Sequence, residues 1–459
     1  MLPLVDLIHI AVLVLIGGIM FNFRGCLVGL LSCFATSVSL GQNLLERESD
    51  FLKSPPLVGA PMPEVSVFLS DGTTFNTANL KGKYTVLTFG CLTCPPSMWN
   101  IAELEAVHRD YHAKGVNFYF IYKSLAHPEL AGGFVQPFTL EERLGQARRA
   151  IEQFGTQIPW LVDAMDNRLK RALGDRPNSQ FLIDPQGVVI RKRAWSNPSQ
   201  VRTDLEELVG RSSKLTRADE LGLKLALPPE QGNTQSKVSK VPRTRMVPLQ
   251  IEPQIDKNGT PFFAKLRAEA SQKLVFDGKG ELYIGFHLDP LYGSKWNNLG
   301  GEVSVQLNAN EHVKLEPKDF VSPKTTEAID HAPREFQVSV DSWPKDEVVK
   351  LMVRYYVCDN KETCHAVVQE YLIRLSRDID GGGARGATAG YWDAKEFTDR
   401  LLLGDSNADG KIVRTEAAGI ILPHFDRLDR DKDGALDKEE MNEVSNWLNH
   451  FHQPFMIKP

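Results

Sequence analysis

At 459 residues the chain is longer than one ordinary hydrophobic core serves, and its length points to about three folded domains. A formal net charge of -5, a pI near 6.2 and 24% charged residues exclude the basic excess that nucleic-acid binding demands. The charge balance selects no other partner.

Residues 2–40 break this composition, being almost wholly apolar and interrupted only by Asp6, His9 and Arg24. Read as an anchor, about twenty residues around Leu7 to Phe23 suffice to cross the hydrocarbon layer. Read as an export signal starting at Met20, Phe21 to Arg24 is a positive lead, Gly25 to Leu40 the apolar stretch, and Ser37 and Ser39 precede a cleavage site. Leu30-Leu31-Ser32-Cys33 also resembles a lipoprotein box. In each version residues 1–41 are a signal peptide or membrane anchor, and the folded part lies outside the cytoplasm: periplasmic, secreted or membrane-anchored. The six cysteines then divide, with Cys26 and Cys33 in this segment and two close pairs beyond it, Cys91 with Cys94 and Cys358 with Cys364. Close pairs in an oxidising compartment are compatible with structural disulfides.

Residues 58–210 alternate strand-like and helix-like patterns and form the first domain. Tyr84–Gly90 predicts a buried strand, and Cys91-Leu-Thr-Cys94-Pro95-Pro96 opens a helix carrying Met98, Ile101, Leu104 and Val107. A C-x-x-C at a helix N-terminus favours thiolate, because free N–H groups and the helix dipole stabilise negative charge there. Proline in the first turn costs no helical hydrogen bond.

With Gly59-Ala-Pro61, Ser70-Asp-Gly72, Leu80-Lys-Gly-Lys83 and the late hairpin Phe181–Gly187, the segment resembles the thioredoxin-like redoxins. Within them it is similar to the iodothyronine deiodinases, whose F-G-S-C-T-U-P site aligns with Phe89-Gly-Cys-Leu-Thr-Cys-Pro95. Ile121-Tyr-Lys-Ser-Leu-Ala-His127 and Leu140-Glu-Glu-Arg143 extend the likeness. The resemblance implies an α/β thioredoxin-like fold and places Cys94 at the selenocysteine position. The departures change the chemistry it implies. Sulfur replaces selenium, two family glutamates are Ser124 and Leu125, the family cysteine is Leu92, and a further family histidine falls at Pro137. Cys91 instead gives Cys94 a partner, so the site suits disulfide exchange, in which one thiolate attacks and its partner resolves. Thioredoxin position makes Cys91 the attacker, deiodinase and peroxiredoxin position makes it Cys94, and both remain open here. Thr93 is placed to hydrogen-bond the thiolate and His127 to exchange a proton. Pro177 lies near the usual cis-proline position, one residue early.

Residues 211–245 are polar and basic and read as a linker. Residues 246–376 hold short β-rich runs between turns, a spacing that predicts a β-sandwich. In it Tyr355-Tyr-Val-Cys358 and Cys364 bracket a turn, a pattern similar to the N-terminal domain of the disulfide-interchange reductase DsbD. That likeness implies a second redox pair tethered to the first at high effective concentration; a static hairpin disulfide is the alternative.

Residues 377–392 form a glycine-rich linker, and 393–450 predict an all-α EF-hand pair. A calcium loop needs oxygen ligands at positions 1, 3, 5, 7, 9 and 12 and glycine at 6. The first loop offers Asp405, Asn407, Asp409, Lys411 through its carbonyl, and Glu416; the second offers Asp429, Asp431, Asp433, Ala435 through its carbonyl, Asp437 and Glu440. Gly410 and Gly434 supply the turns, and Ile412 is expected to face Leu436. Two Ca2+ sites of this kind would act as a staple in calcium-rich surroundings rather than as a switch, in a compact pair that opens little.

The sequence therefore predicts an exported calcium-binding thiol-disulfide oxidoreductase acting on protein or small-molecule thiols or disulfides. Two alternatives accompany it: a cysteine-type deiodinase-like dehalogenase or thiol peroxidase, and a calcium-stabilised non-catalytic binding protein.

Overall fold

The computed structural model describes residues 48–442, apart from 127, 130–132, 175, 224–245, 257–258, 383–397, 400, 418–420 and 423–424. The expected targeting segment, His127 and much of both linkers lie outside the described residues. Among the described residues no helix is long and apolar enough to cross a membrane.

The first domain is built on a seven-stranded sheet in the order β2-β1-β5-β4-β3-β6-β7. Its strands are β1 (Ser66–Leu69), β2 (Thr74–Asn76), β3 (Thr85–Gly90), β4 (Asn117–Tyr122), β5 (Trp160–Val162), β6 (Gln180–Ile183) and β7 (Val189–Arg193). The central β3, β4 and β5 run parallel, joined by helices α1 (Pro95–Tyr111) and α2 (Leu140–Phe154). The remaining pairings are antiparallel, and Asp184–Gly187 turns β6 into β7.

β3 is buried along its whole length because both faces of the sheet are covered. The period-2 alternation sorts its side chains between two cores. Val86, Phe118, Phe120 and Tyr122 meet α1, α2 and α3 (Pro198–Val209) on one face. Leu87, Phe89 and Ile121 face the other, with Phe51, Leu169 and Leu173. Helix α2 starts where Thr139 and Glu142 cap each other's backbone N–H groups, and ends at Gly155 in the left-handed conformation.

The second region is rich in β-sheet. Its strands are β8 (Met246–Gln254), β9 (Ala264–Ser271), β10 (Gly280–Leu288), β11 (Lys295–Asn297), β12 (Ser304–Asn308), β13 (Lys314–Glu316), β14 (Asp319–Val321), β15 (Ile329–Asp330), β16 (Arg334–Ser342), β17 (Val348–Cys358) and β18 (Cys364–Arg377). Strand β8 changes partner midway, pairing β9 through Met246–Pro248 and β18 through Leu249–Gln254. One antiparallel ladder, β13-β16-β10-β9, thus continues into another, β18-β17-β11-β15, with β12 and β14 on the side of β17. The inward residues of both ladders meet in one apolar core around Trp296, Trp343, Tyr355 and Tyr371.

The described part of the tail, within 398–442, is not the all-α unit that helical patterning suggests. It has short helical turns, such as Phe425–Leu428, and two two-residue strands, β19 (Ile412–Val413) and β20 (Ala435–Leu436). Ile412 pairs with Leu436 across these strands, in the register the loop spacing predicts.

Tethered, freely moving modules are also not what the structure gives. Lys265 of β9 lies 2.8 Å from Glu142 of α2 and 2.7 Å from Asp289, all three side chains no more than 6% exposed. Tyr292 Oη donates to Glu142 at 2.8 Å, and Phe138 meets Phe262 edge-on. Asp380, in the expected hinge, is paired at 2.5 Å with Lys170 and at 2.6 Å with Arg171. Removing one partner from such buried charge clusters leaves the other uncompensated, so they hold the two regions in one arrangement.

Candidate active site

The strand β3 ends at Gly90, and the chain turns through Cys91–Cys94 into α1. Cys94 is the residue that caps this helix, in extended conformation, with proline in its first turn. The backbone beneath is held by a buried polar network. Asn178 Nδ2 donates to Phe89 O at 2.8 Å and to Ser97 Oγ at 3.2 Å. Asn100 Nδ2 donates to Asn178 Oδ1 at 3.2 Å and to Ser196 O at 3.1 Å. A Cβ at Gly90 would come within 3.3 Å of Ser97 Oγ, so a side chain there would press on this network.

Both thiols are free and buried. Burial pushes the Cys91 thiol up, but four groups outweigh it and bring it down to about 6: the Cys94 S–H, the Lys123 ammonium, the Ala126 N–H and the Thr93 hydroxyl. The Ala126 N–H donates to Cys91 Sγ at 3.5 Å, and Thr93 Oγ1 lies 3.6 Å from the same sulfur. Cys94 moves the other way. Its proton is held by the hydrogen bond to the Cys91 thiolate, and burial raises it further, to well above the ordinary thiol range.

Of the residues singled out in the sequence, Cys91, Cys94 and Thr93 come together here. Lys123 and the Asn178–Ser97–Asn100 network are contributors that sequence reasoning missed. Lys123 stood inside a recognised stretch, directly before Ser124, but its charge acts through space on a residue of a different strand end. Pro177 follows a trans peptide; the cis bonds among the described residues are Pro55–Pro56 and Glu316–Pro317.

Arg143 holds a neighbouring loop. Its Nη1 donates to the carbonyls of Asp163 and Ala164 and, at 2.9 Å, to Asn167 Oδ1. Asn167, with a left-handed φ of 52°, also accepts from Ser124 N at 3.2 Å. Arg143 thereby positions the stretch that follows β4 and leads to Ala126.

Cys358 and Cys364 are bridged, as register partners at the turn end of the β17–β18 hairpin. Asp359 Oδ1 accepts from the backbone of Lys361 and Thr363, closing the turn, while His365 sits 3.0 Å from Asp359 Oδ2 and stacks on Phe263.

The two acidic loops share one internal geometry. Gly410 N donates to Asp405 Oδ2 and Gly434 N to Asp429 Oδ2, at 2.8 and 3.0 Å, with both glycines at positive φ. Glu416 accepts from Ser406 N and Val413 N; Glu440 accepts from Arg430 N and Asp437 N. In the second loop one carboxylate oxygen each of Asp429, Asp431 and Asp433 lies within 4.8 Å of the others. Asp429 Oδ1 is buried and has no hydrogen-bond partner among the described residues. Three converging carboxylates with an orphaned buried oxygen fit a hard divalent cation.

Residues 57–209 match the Redoxin family. About a third of the chain is similar to several solved structures. One is a putative thiol:disulfide interchange protein DsbE from Chlorobium tepidum, at 17% identity, covering 33% of this chain and 94% of that one, with a TM-score of 0.27. Another is a thioredoxin family thiol:disulfide interchange protein from the same organism, at 20% identity, 33% and 96% coverage and a TM-score of 0.26. A third is a secreted Mycobacterium tuberculosis disulfide oxidoreductase homologous to E. coli DsbE, at 16% identity, 31% and 95% coverage and a TM-score of 0.25. The stretch that carries Cys91 and Cys94 thus matches the Redoxin family and is built on the seven-stranded sheet described above.

Proposed function

We propose that the chain is an exported, calcium-binding thiol-disulfide oxidoreductase in which Cys91 attacks and Cys94 resolves. The observation that carries this reading is the opposite protonation of two neighbouring thiols: Cys91 is lowered to about 6 while Cys94 keeps its proton. The Cys91 thiolate attacks one sulfur of a substrate disulfide, forming a mixed disulfide and expelling the other sulfur as thiolate. That step removes the negative charge from Cys91, and with it the main cause of the raised Cys94 pKa. Cys94 then loses its proton more readily and attacks Cys91, releasing the second substrate thiolate and leaving a Cys91–Cys94 disulfide. The substrate has gained two electrons, and a dithiol donor must return them before the next cycle.

The same pattern weighs against the dehalogenase or peroxidase alternative, which assigns the attack to Cys94, the thiol that holds its proton. Turnover of a model disulfide, with none of peroxide or an iodinated phenol, tests the choice. The non-catalytic binding-protein alternative fails if Cys91 and Cys94 cycle.

Calcium is part of the proposal. Asp405, Asn407, Asp409, Glu416 and the Lys411 carbonyl would hold one ion; Asp429, Asp431, Asp433, Asp437, Glu440 and the Ala435 carbonyl the other. When bound, the ions neutralise the clustered carboxylates and fix the loops. Lys411 Nζ, 2.7 Å from Asp433 Oδ2, neutralises part of the same charge. Export is supported by the apolar residues 2–40 and by the Cys358–Cys364 bridge, which persists in oxidising compartments. Cys358 and Cys364 serve either as a second redox pair, in the manner of the DsbD likeness, or as a hairpin staple.

A further inference from the structure

Cys91, Leu92, Thr93 and Cys94 are each no more than 1% exposed. A disulfide substrate must nevertheless reach the Cys91 sulfur in line, so a cover has to move. The chain beyond β18 is placed to be that cover. Asp380 is anchored by Lys170 and Arg171, and its carbonyl accepts from Gln136. Two residues on, Gly382 lies so close to the loop after β4 that a Cβ there would come within 3.1 Å of the carbonyl oxygens of Leu125 and Ala126. Ala126 is the residue whose N–H meets the Cys91 sulfur. The tail therefore departs beside the dithiol.

The tail also shares its apolar core with the dithiol. Ile412, Ala417, Ile421, Phe425, Leu436 and Met441 belong to one continuous buried cluster with Cys91, Leu92 and Cys94. An isolated pair of calcium loops would have to bury these side chains within itself; here they extend the core of the redoxin domain.

We propose that the described residues within 398–442, which carry Ile412, Phe425 and Leu436, form a lid over the Cys91–Cys94 dithiol and that calcium in the two loops holds this lid shut. The inference rests on the calcium reading above. Its physical link is the eighth position of each loop. Ile412 directly follows Lys411, whose carbonyl is a ligand, and Leu436 lies between the ligands Ala435 and Asp437, so the backbone that would hold the ions is the backbone that carries two lid residues into the cluster. A ligand that binds the ordered lid better than the displaced one shifts the equilibrium towards closure, and by reciprocity a substrate that displaces the lid weakens calcium binding.

The test follows alkylation of Cys91 and Cys94 by iodoacetamide in the full reduced chain, with saturating calcium and with chelator, beside calorimetric titration with calcium. Calcium is expected to slow alkylation by roughly tenfold or more, a coupling of ordinary size. Phe425→Asp lies outside both sets of ligands. It should bind calcium yet alkylate quickly in either condition, with near-ultraviolet dichroism reporting that the redoxin core is intact. Calcium binding without any change in the wild-type alkylation rate would overturn the lid and leave the calcium reading standing. No calorimetric calcium binding would overturn the calcium reading itself, and a wild-type rate equal to that of a small free thiol in saturating calcium would overturn the cover.

Discussion

The sulfur of Cys91 lies 3.5 Å from the backbone nitrogen of Ala126, a contact that joins the end of β3 to the loop following β4. It gives the thiolate a fixed donor from a neighbouring strand, in addition to the Cys94 thiol and the Lys123 charge. Much of the proposed chemistry follows from this contact.

Because Cys91 is lowered to about 6, its reactivity should rise with pH through that value and be nearly complete at neutral pH. Below it the thiolate, and with it the stabilisation of the reduced fold by these hydrogen bonds, is lost. Ultraviolet thiolate absorbance of the reduced chain across pH checks this. Lys123→Met should move the transition upward, since it removes a favourable charge.

Cys91→Ser is expected to abolish disulfide turnover. Cys94→Ser should instead leave one attack possible and accumulate the mixed disulfide, which non-reducing mass spectrometry detects. If Cys91→Ser were the variant that accumulated the adduct, the assignment of roles would be reversed.

Lys265→Met leaves Glu142 and Asp289 buried without their ammonium and should cost about 3–5 kcal/mol. Glu142→Gln should cost less in combination with Lys265→Met than the two separate losses sum to, because the residues share one network. Denaturant midpoints of the four proteins in the cycle measure this coupling.

Calcium should raise the thermal midpoint, by an amount corresponding to about 2.7 kcal/mol for one site at one hundred times its Kd. Glu440→Gln should remove one site and Glu416→Gln the other, each leaving calorimetric binding of about one equivalent.

The sequence reading succeeds where one segment supplies the whole signal. Tyr84–Gly90 with Cys91-x-x-Cys94-Pro95 announced a buried strand, a turn and a helix start, and the structure has β3, the dithiol and α1 there. The register of Ile412 against Leu436 followed from position within the loops. What failed to show depends on residues far apart in the chain. Asn178 reaches Phe89 and Ser97 from beyond α2 and β5, and no local pattern marks an asparagine as support for a cysteine turn. Lys265 and Glu142 sit in two domains, so their pairing could not be read from either segment, and the linker composition suggested motion that these buried charges oppose. The burial of Cys91 and Cys94 was equally hidden, because a C-x-x-C motif carries no information about a tail that packs into the same core.

Disulfide mapping of the chain equilibrated across a graded series of glutathione potentials tests the oxidoreductase reading most directly. Cys91 and Cys94 are expected to pass reversibly between two thiols and one disulfide within the range of known oxidoreductases, from about -120 to about -270 mV. A pair that stays oxidised below about -300 mV, where structural disulfides lie, would contradict it.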